Sequence, residues 1–356
     1  MSEQLITDLL KQVNYPGFSR DIVSFGLIQE TRFEDGQAFV KVEISTADPT
    51  LPKVLKGEIE NKLIQEESIQ GVDIQIIVKK PAVERSTNAE NKESAVLPGV
   101  KKIVAIASGK GGVGKSTMAV NLACSIEQIL SKDSSAPIKI GLMDCDVYGP
   151  SIPLLIGASG QPKALGDNLI APIESYGIKV MSMGLLVDEE TPVVWRGPMV
   201  MKTIQQFAAN VDWGELDLLL IDLPPGTGDA QLSIAQVMPL DGVVIITTPQ
   251  KAAVDVARRG ARMFEKVNVP ILGVVENMSY LLDEESGRKN HIFGQGGGAT
   301  TAHALKCPFL GEIPLHEEVR LGGDHGTPVV IANPDNPSSK EMTEVARKLT
   351  ELLPGD

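Results

Sequence analysis

From residue 101 onward, short aliphatic runs alternate with segments long enough to form helices. The runs fall at 103–107, 138–143, 178–183, 216–223, 243–248 and 271–276. Runs of this kind suit strands covered on both faces, and their alternation with helical segments predicts an α/β fold. The expected sheet is doubly wound and mainly parallel, with ligands bound outside the carboxyl ends of its strands. The last periodic segment, 340–353, predicts an amphipathic helix of mixed charge that packs on the core rather than on a membrane.

The front of the chain has a different rhythm. A helix at 3–13, strands at 22–30 and 38–44, a helix at 51–65 and a strand at 72–78 predict a small α+β domain over 1–80. The stretch PAVERSTNAENKESAVLPG that follows is polar, charged and free of apolar period, with proline near both ends, so 81–100 reads as a linker. Residues 101–356 then form the larger domain. There is no internal repeat and no low-complexity tract.

Composition sharpens this picture at four points. Only 8 Phe, 4 Tyr and 2 Trp are present, so the core is mainly aliphatic. A formal charge of −13 opposes binding to nucleic acid or to an anionic membrane surface. No stretch approaches the roughly 20 apolar residues that span a bilayer, and the opening MSEQLITDLL lacks the pattern of a secretory signal, so the expected location is cytoplasmic. The three cysteines, Cys124, Cys145 and Cys307, are too far apart for a metal knuckle and form no disulfide framework. Each reads as a small buried apolar side chain.

The candidate chemistry begins directly after the run at 103–107. In SGKGGVGKST, Gly109 and Gly114 with four residues between them, then Lys115 and Ser116, satisfy the phosphate-loop pattern, and a helical period follows. Gly109, Lys110, Gly111, Gly112, Val113 and Gly114 can wrap their N–H groups around a β-phosphate because glycines remove the obstructing Cβ atoms. The helix N-terminus adds its positive end. Lys115 then reaches the β- and γ-phosphates of ATP, Ser116 ligates Mg2+, and Thr117 serves the α-phosphate. The bland alternative is a glycine-rich turn that holds nothing. Lys110 is a second lysine that such a loop does not require; it is either a solvated charge or a group that crosses a dimer interface to the partner's nucleotide.

Two later runs end in acids. Asp144, Cys145 and Asp146 follow the run at 138–143, and Asp222 followed by LPPGTGD closes the run at 216–223. A carboxylate there belongs to the magnesium shell, and Asp222 is assigned to it, with Asp144 supporting from outside. Asp146 is placed to orient or deprotonate the attacking water, and Gly226 and Gly228 let the following loop respond to the γ-phosphate. Each lone Asp has a competing reading as a cap or turn residue. Asn277, in VVENMSY, offers the donor and acceptor that read adenine's edge, although Asn is also a common turn residue.

GKGGVGKST with Lys110 resembles the deviant phosphate loop of the MinD/ParA/nitrogenase-reductase superclass. DCDVYGPSIP at 144–153, WRGPMVMKTIQQF at 195–207, IDLPPGTGDAQLS at 221–233, ENMSY at 276–280 and IFGQGGG at 292–298 narrow the resemblance to the Mrp/ApbC iron–sulfur carrier ATPases. The front domain is similar to a module shared with other iron–sulfur assembly factors. The resemblance implies a homodimer that hydrolyses ATP and carries a labile iron–sulfur cluster to apo client proteins. It also implies a trans role for Lys110.

The chain departs from that family in one place that matters. Where many members carry a CxxC pair, it reads LLDEESGRKNH, and the front domain's strand-to-helix turn reads STADPTLP, also without cysteine. Soft centres take thiolates, so a carried cluster needs other ligands; Cys307 is the thiol to test, and His291 is a loop histidine that is either a ligand or solvent-exposed. The alternative function is a MinD/ParA-like scaffold or positioning ATPase without a cluster, which needs a basic DNA-binding face or a basic amphipathic membrane helix. A reductase like the nitrogenase iron protein needs the paired cysteines that are missing.

Overall fold

The computed structural model describes residues 3–13, 21–23, 27–34, 36–45, 51–66, 68–69, 71–79, 97–133, 138–166, 169–186, 197–283 and 285–353. The chain divides into two compact units, Met1–Asn91 and Lys92–Asp356. Most of the expected linker, the turn at 46–50 and the residues Trp195 and Arg196 lie outside the described residues.

In the first unit, α1 (Glu3–Leu10), β1 (Ile28–Glu34), β2 (Gln37–Ser45), α2 (Leu51–Ile64) and β3 (Gly71–Lys79) build a three-stranded sheet in the order β1-β2-β3. Side chains alternate along a strand, so Ala38, Val40, Val42 and Ile44 fall on one face of β2. They are buried with Leu55, Ile59 and Leu63 of α2 and with Ile6 and Leu10 of α1. The expected strand at 22–30 is displaced. Ile22 enters the core from a turn, its carbonyl accepting from Leu27 N at 3.2 Å, and the ladder starts only at Ile28.

The second unit opens with β4 (Val100–Ser108), α3 (Lys115–Asp133), β5 (Ile140–Asp144) and α4 (Ile152–Ile156). A small hairpin of β6 (Ala164–Gly166) and β7 (Leu169–Ile170) leads to β8 (Ile173–Ser175) and β9 (Ile178–Met181). Next come α5 (Gly197–Asn210), β10 (Leu216–Asp222), α6 (Asp229–Val237), β11 (Gly242–Thr247), α7 (Lys251–Lys266) and β12 (Ile271–Glu276). The hairpin β13 (Leu281–Leu282) and β14 (Lys289–Asn290) precedes α8 (Gly297–Leu305), β15 (Phe309–Glu312), α9 (Glu317–His325), α10 (Val329–Ala332) and α11 (Pro337–Leu352).

Eight strands form one sheet in the order β15-β12-β11-β4-β10-β5-β9-β8, parallel except for the edge pair β8–β9. Both faces are covered. In β4, Val104 and Ile106 enter the core beneath α3 and α11, while Ile103, Ala105 and Ala107 enter the core on the side of α5 and α7. This is why the strands read as continuous apolar runs. Leu97, at the end of the expected linker, is buried in the second of these cores. The run expected at 178–183 stops at Met181 because Ser182 caps a short 3-10 turn, its hydroxyl accepting from Gly184 N at 3.1 Å. The final helix starts at Pro337 rather than at 340, because Asn336 accepts from Ser338 N at 2.8 Å and proline supplies the first helical position.

β4 is central, and the loop after it runs against α7. A Cβ at Gly109 would lie 2.5 Å from Ala257 N, a backbone atom with no room to yield, whereas one at Gly111 would meet nothing nearer than Pro225 Cβ at 4.0 Å. Gly109→Ala is therefore expected to push the loop off α7 and cost about 1–3 kcal/mol. Gly111→Ala should stay within about 0.5 kcal/mol of the parent. Thermal unfolding of the two variants checks this, and equal midpoints would contradict the close packing.

Candidate functional site

The strand-to-helix step at residues 108–115 sets the site. Gly112 and Gly114 have φ of 78° and 81°, where glycine is favoured, and α3 begins at Lys115, so its N-terminus faces the loop. β10 lies beside β4 in parallel register, with Asp222 opposite Ile106, which brings the last residue of β10 under the loop.

Lys115 and Asp222 are both buried, with Lys115 Nζ 2.6 Å from Asp222 Oδ1. Ser116 Oγ donates to Asp222 Oδ2 at 2.6 Å. Burial pushes the Asp222 carboxyl up from its ordinary range, and the Lys115 ammonium opposes that rise. The donor set fits magnesium: a hydroxyl and a carboxylate are hard oxygen ligands, held in mutual contact at a helix N-terminus. A cavity of about 270 Å³ lined by Lys110, Gly112, Lys115, Ser116, Thr117, Asp146 and Pro225 has the charge and the N–H-rich wall that phosphates require.

A second cavity of about 300 Å³ shares Gly114, Thr117 and Leu155 with the first and is further lined by Asn277, Met278, Pro314, His316 and Arg320. Its place beyond the phosphate loop suits a nucleoside. Asn277 does not face it with both amide groups, as the sequence suggested. Nδ2 donates to the Val113 carbonyl at 2.9 Å, which braces the loop. Oδ1 has no protein donor among the described residues, and an acceptor there matches the amino group of adenine rather than the carbonyl of guanine.

Asp144 and Asp222 end neighbouring strands in register. Asp144 is buried; burial, and after it the charge of Asp222, pushes its carboxyl up to about 7. It accepts from Ser182 Oγ at 2.9 Å and from Asp146 N at 3.0 Å. Its contacts therefore fix the loop that presents Asp146 to the phosphate cavity. Lys110 is exposed and lines the same cavity. Sequence reasoning missed Gln231, a buried side chain whose Nε2 donates to Ser108 O at 3.1 Å and Pro224 O at 2.5 Å. It ties the end of β4 to the PPGTG loop, and a polar residue on the inner face of α6 was the available signal.

The thiols are dispersed. Cys124 and Cys145 are fully enclosed in opposite cores, and burial pushes Cys124 up to about 12 and Cys145 well above its usual range. Cys307 is half-buried, raised by burial, with Sγ donating to Ala302 O at 3.8 Å. It precedes β15 and so lies at the amino-terminal rim of the sheet, opposite the rim that carries the phosphate loop. His291 is on the loop rim, with Nδ1 3.2 Å from Ser279 O, so the two candidate soft ligands are not brought together. Among the described residues no three His, Cys, Asp or Glu side chains gather into a metal-binding group.

The profile of the family described as NUBPL iron-transfer P-loop NTPase matches residues 99–350, and that of an iron-sulfur cluster assembly protein matches residues 3–76. An iron-sulfur cluster carrier protein of Helicobacter pylori is 38% identical over 356 residues, covering 99% of this chain and 93% of that relative. A nucleotide-binding protein of Archaeoglobus fulgidus, solved in complex with ADP, is similar with TM-score 0.59 and 33% identity, over 73% of this chain and 95% of that one. The cell division ATPase MinD of Pyrococcus furiosus shares the fold at TM-score 0.51 and 21% identity, over 70% of this chain and 99% of that one.

The buried pair yields a stability test. Lys115→Ala leaves the Asp222 carboxylate with no cation and is expected to cost on the order of 3–5 kcal/mol. Lys115→Ala/Asp222→Ala leaves no lone buried charge and should be more stable than Lys115→Ala alone. Urea unfolding followed by tryptophan fluorescence reads the large unit, because Trp195 and Trp213 both lie in it. A double variant no more stable than Lys115→Ala would contradict the assignment.

Proposed function

The chain belongs to the NUBPL iron-transfer P-loop NTPase family, and from that premise we propose that it is an ATP-hydrolysing carrier that delivers iron–sulfur clusters to apo client proteins. The observation that carries the nucleotide half of this reading is the contact of Lys115 and Ser116 with Asp222 beneath a glycine loop, beside two adjoining cavities. ATP is the substrate. Its phosphates would lie along the N–H groups of Gly109–Gly114 with Lys115 at the β- and γ-positions, and Asn277 Oδ1 would select adenine. Ser116 and Asp222 would hold Mg2+, which would supply positive charge to offset that of the phosphates. Asp146, held by its loop, would orient the attacking water.

We further place the protein in the cytoplasm, as a homodimer joined across the phosphate-loop face. Its three cysteines are free, in keeping with a reducing compartment, and no described helix is long and apolar enough to cross a membrane. Lys110, exposed at the cavity, would then serve the partner's nucleotide. That geometry has a consequence for the cargo. A dimer joined at the loop rim does not bring two Cys307 side chains together, so a cluster held by Cys307 would be exchanged at the opposite rim with ligands from a client or a small thiol.

Lys110→Ala and Asp146→Ala are each expected to bind ATP and to lose hydrolysis. Random mixing of the two as subunits should restore about a quarter of the parental rate, since half of the dimers are mixed and each has one intact composite site. No recovery in confirmed mixed dimers would count against a trans role.

The carrier reading itself is tested by anaerobic reconstitution with iron and sulfide, metal counting per dimer, and transfer to an apo acceptor. Cluster uptake and transfer are expected from the parent, with Cys307→Ser lowering bound iron and leaving ATP hydrolysis unchanged. Failure of the parent to take up iron would favour an ATP-switched scaffold, and unchanged iron in the variant would remove Cys307 from the ligand set.

A further inference from the structure

Between β12 and α8 the chain leaves the sheet at the Asn277 turn, forms the β13–β14 hairpin and returns at Gly297. One side chain grips both ends of this excursion. Glu276, the last residue of β12, has 0% exposure. Its Oε1 accepts from Ser279 Oγ at 2.6 Å and its Oε2 from Gly298 N at 2.5 Å, in the first turn of α8. The approach leaves no slack, since a Cβ at Gly298 would lie 2.7 Å from Glu276 Cβ.

The same few residues hold the nucleotide side. Asn277 N donates to Thr247 O at 2.8 Å, and its side chain braces Val113 in the phosphate loop. Met278, between Asn277 and Ser279, has φ of 55°, a left-handed conformation unfavourable for a residue with a Cβ. Such strain persists only where its surroundings impose it. Here the Glu276 carboxylate fixes Ser279 on one side of Met278 while Asn277 is fixed on the other. A fully buried carboxylate is costly unless its oxygens are satisfied, and this one uses them to join the base-facing turn to the start of α8.

We propose that Glu276 is a positioning residue that acts through Asn277 and Ser279, coupling base recognition to the order of the excursion over 278–297. This deepens the reading of Asn277 as the base-facing residue and rests on it. When the clamp is intact, bound nucleotide holds the turn and the turn holds the excursion. When it is released, Asn277 loses its fixed direction and the excursion opens, while the contacts of Lys115 and Ser116 with Asp222 are kept.

Glu276→Gln keeps the shape of the side chain and removes its charge and one acceptor. The expected result is a KM for ATP raised about tenfold with kcat within about twofold, since only binding is lost. The preference for ATP over GTP should narrow. Hydrogen exchange over 278–297 should quicken in the nucleotide-free variant and respond less to ADP than in the parent. If Glu276→Gln does not fold, Ser279→Ala, which removes one donor only, should show the same directions with smaller changes. Unchanged KM, purine preference and exchange in a folded variant would overturn the proposal, as would a fall in kcat with KM untouched. A parent protein that binds no ATP would sink the nucleotide function instead, and exchange of the nucleotide-free forms would still test the clamp.

Discussion

The ion pair between Lys115 and Asp222 is the constraint on which the rest of the large unit is arranged. Neither charge would be tolerable alone at that depth. Lys115 opens the helix that follows β4 and Asp222 ends β10, so the pair requires β4 and β10 to be neighbours, parallel and in the register that sets Asp222 beside Ile106. A parallel neighbour cannot be reached by a tight turn; the chain must travel through α3, β5 and the edge strands before β10 returns to lie between β4 and β5. The doubly wound topology is thus the route by which one lysine and one aspartate, 107 residues apart, become contact partners.

What surrounds the pair follows from its cost. The glycine loop cannot move independently, because Gly109 abuts α7, Gln231 anchors Ser108 and Asn277 braces Val113. Three elements far apart in sequence thus restrict the loop whose N–H groups must converge on phosphate. Preorganisation of this kind lets binding energy be spent on the reacting groups instead of on ordering the site. Asp144 extends the same logic to the next strand, where its buried carboxyl holds the backbone of Asp146 instead of facing the cavity itself.

The parts of this design that were legible in the sequence are those fixed by local spacing. Gly109, Gly114, Lys115 and Ser116 declare themselves by interval, and the apolar runs gave the parallel sheet because strands covered on both faces have no polar alternation to mislead. Asp222 was legible because a strand end is a place, not merely a residue type. What was not legible depended on pairing across the fold. The donor of Asn277 is consumed by Val113, a residue 164 positions away, which no local pattern encodes. Ile22 looked like strand because burial and strand pairing leave the same apolar mark. The early start of α11 was missed although Asn336 followed by Pro337 is a cap and first-turn signal. Cys307 stood out in the sequence as a thiol to test, but which rim of the sheet it occupies is a fact of topology.

The topology also bears on whether α7 could serve as the membrane anchor of a positioning ATPase. Such a protein needs a basic amphipathic helix with a free apolar face. α7 has the composition for it, with Lys251, Arg258, Arg259, Arg262 and Lys266 along one helix of a chain whose formal charge is −13. Its apolar face is already used: Ala257, Ala261 and Phe264 are buried in the core against β4 and β11, and the helix backbone touches Gly109. Inserting that face into lipid would dismantle the wall of the phosphate loop. The amphipathic pattern that would qualify α7 as an anchor is therefore the pattern that fixes it inside the fold, and what α7 leaves to solvent is mainly its charged face.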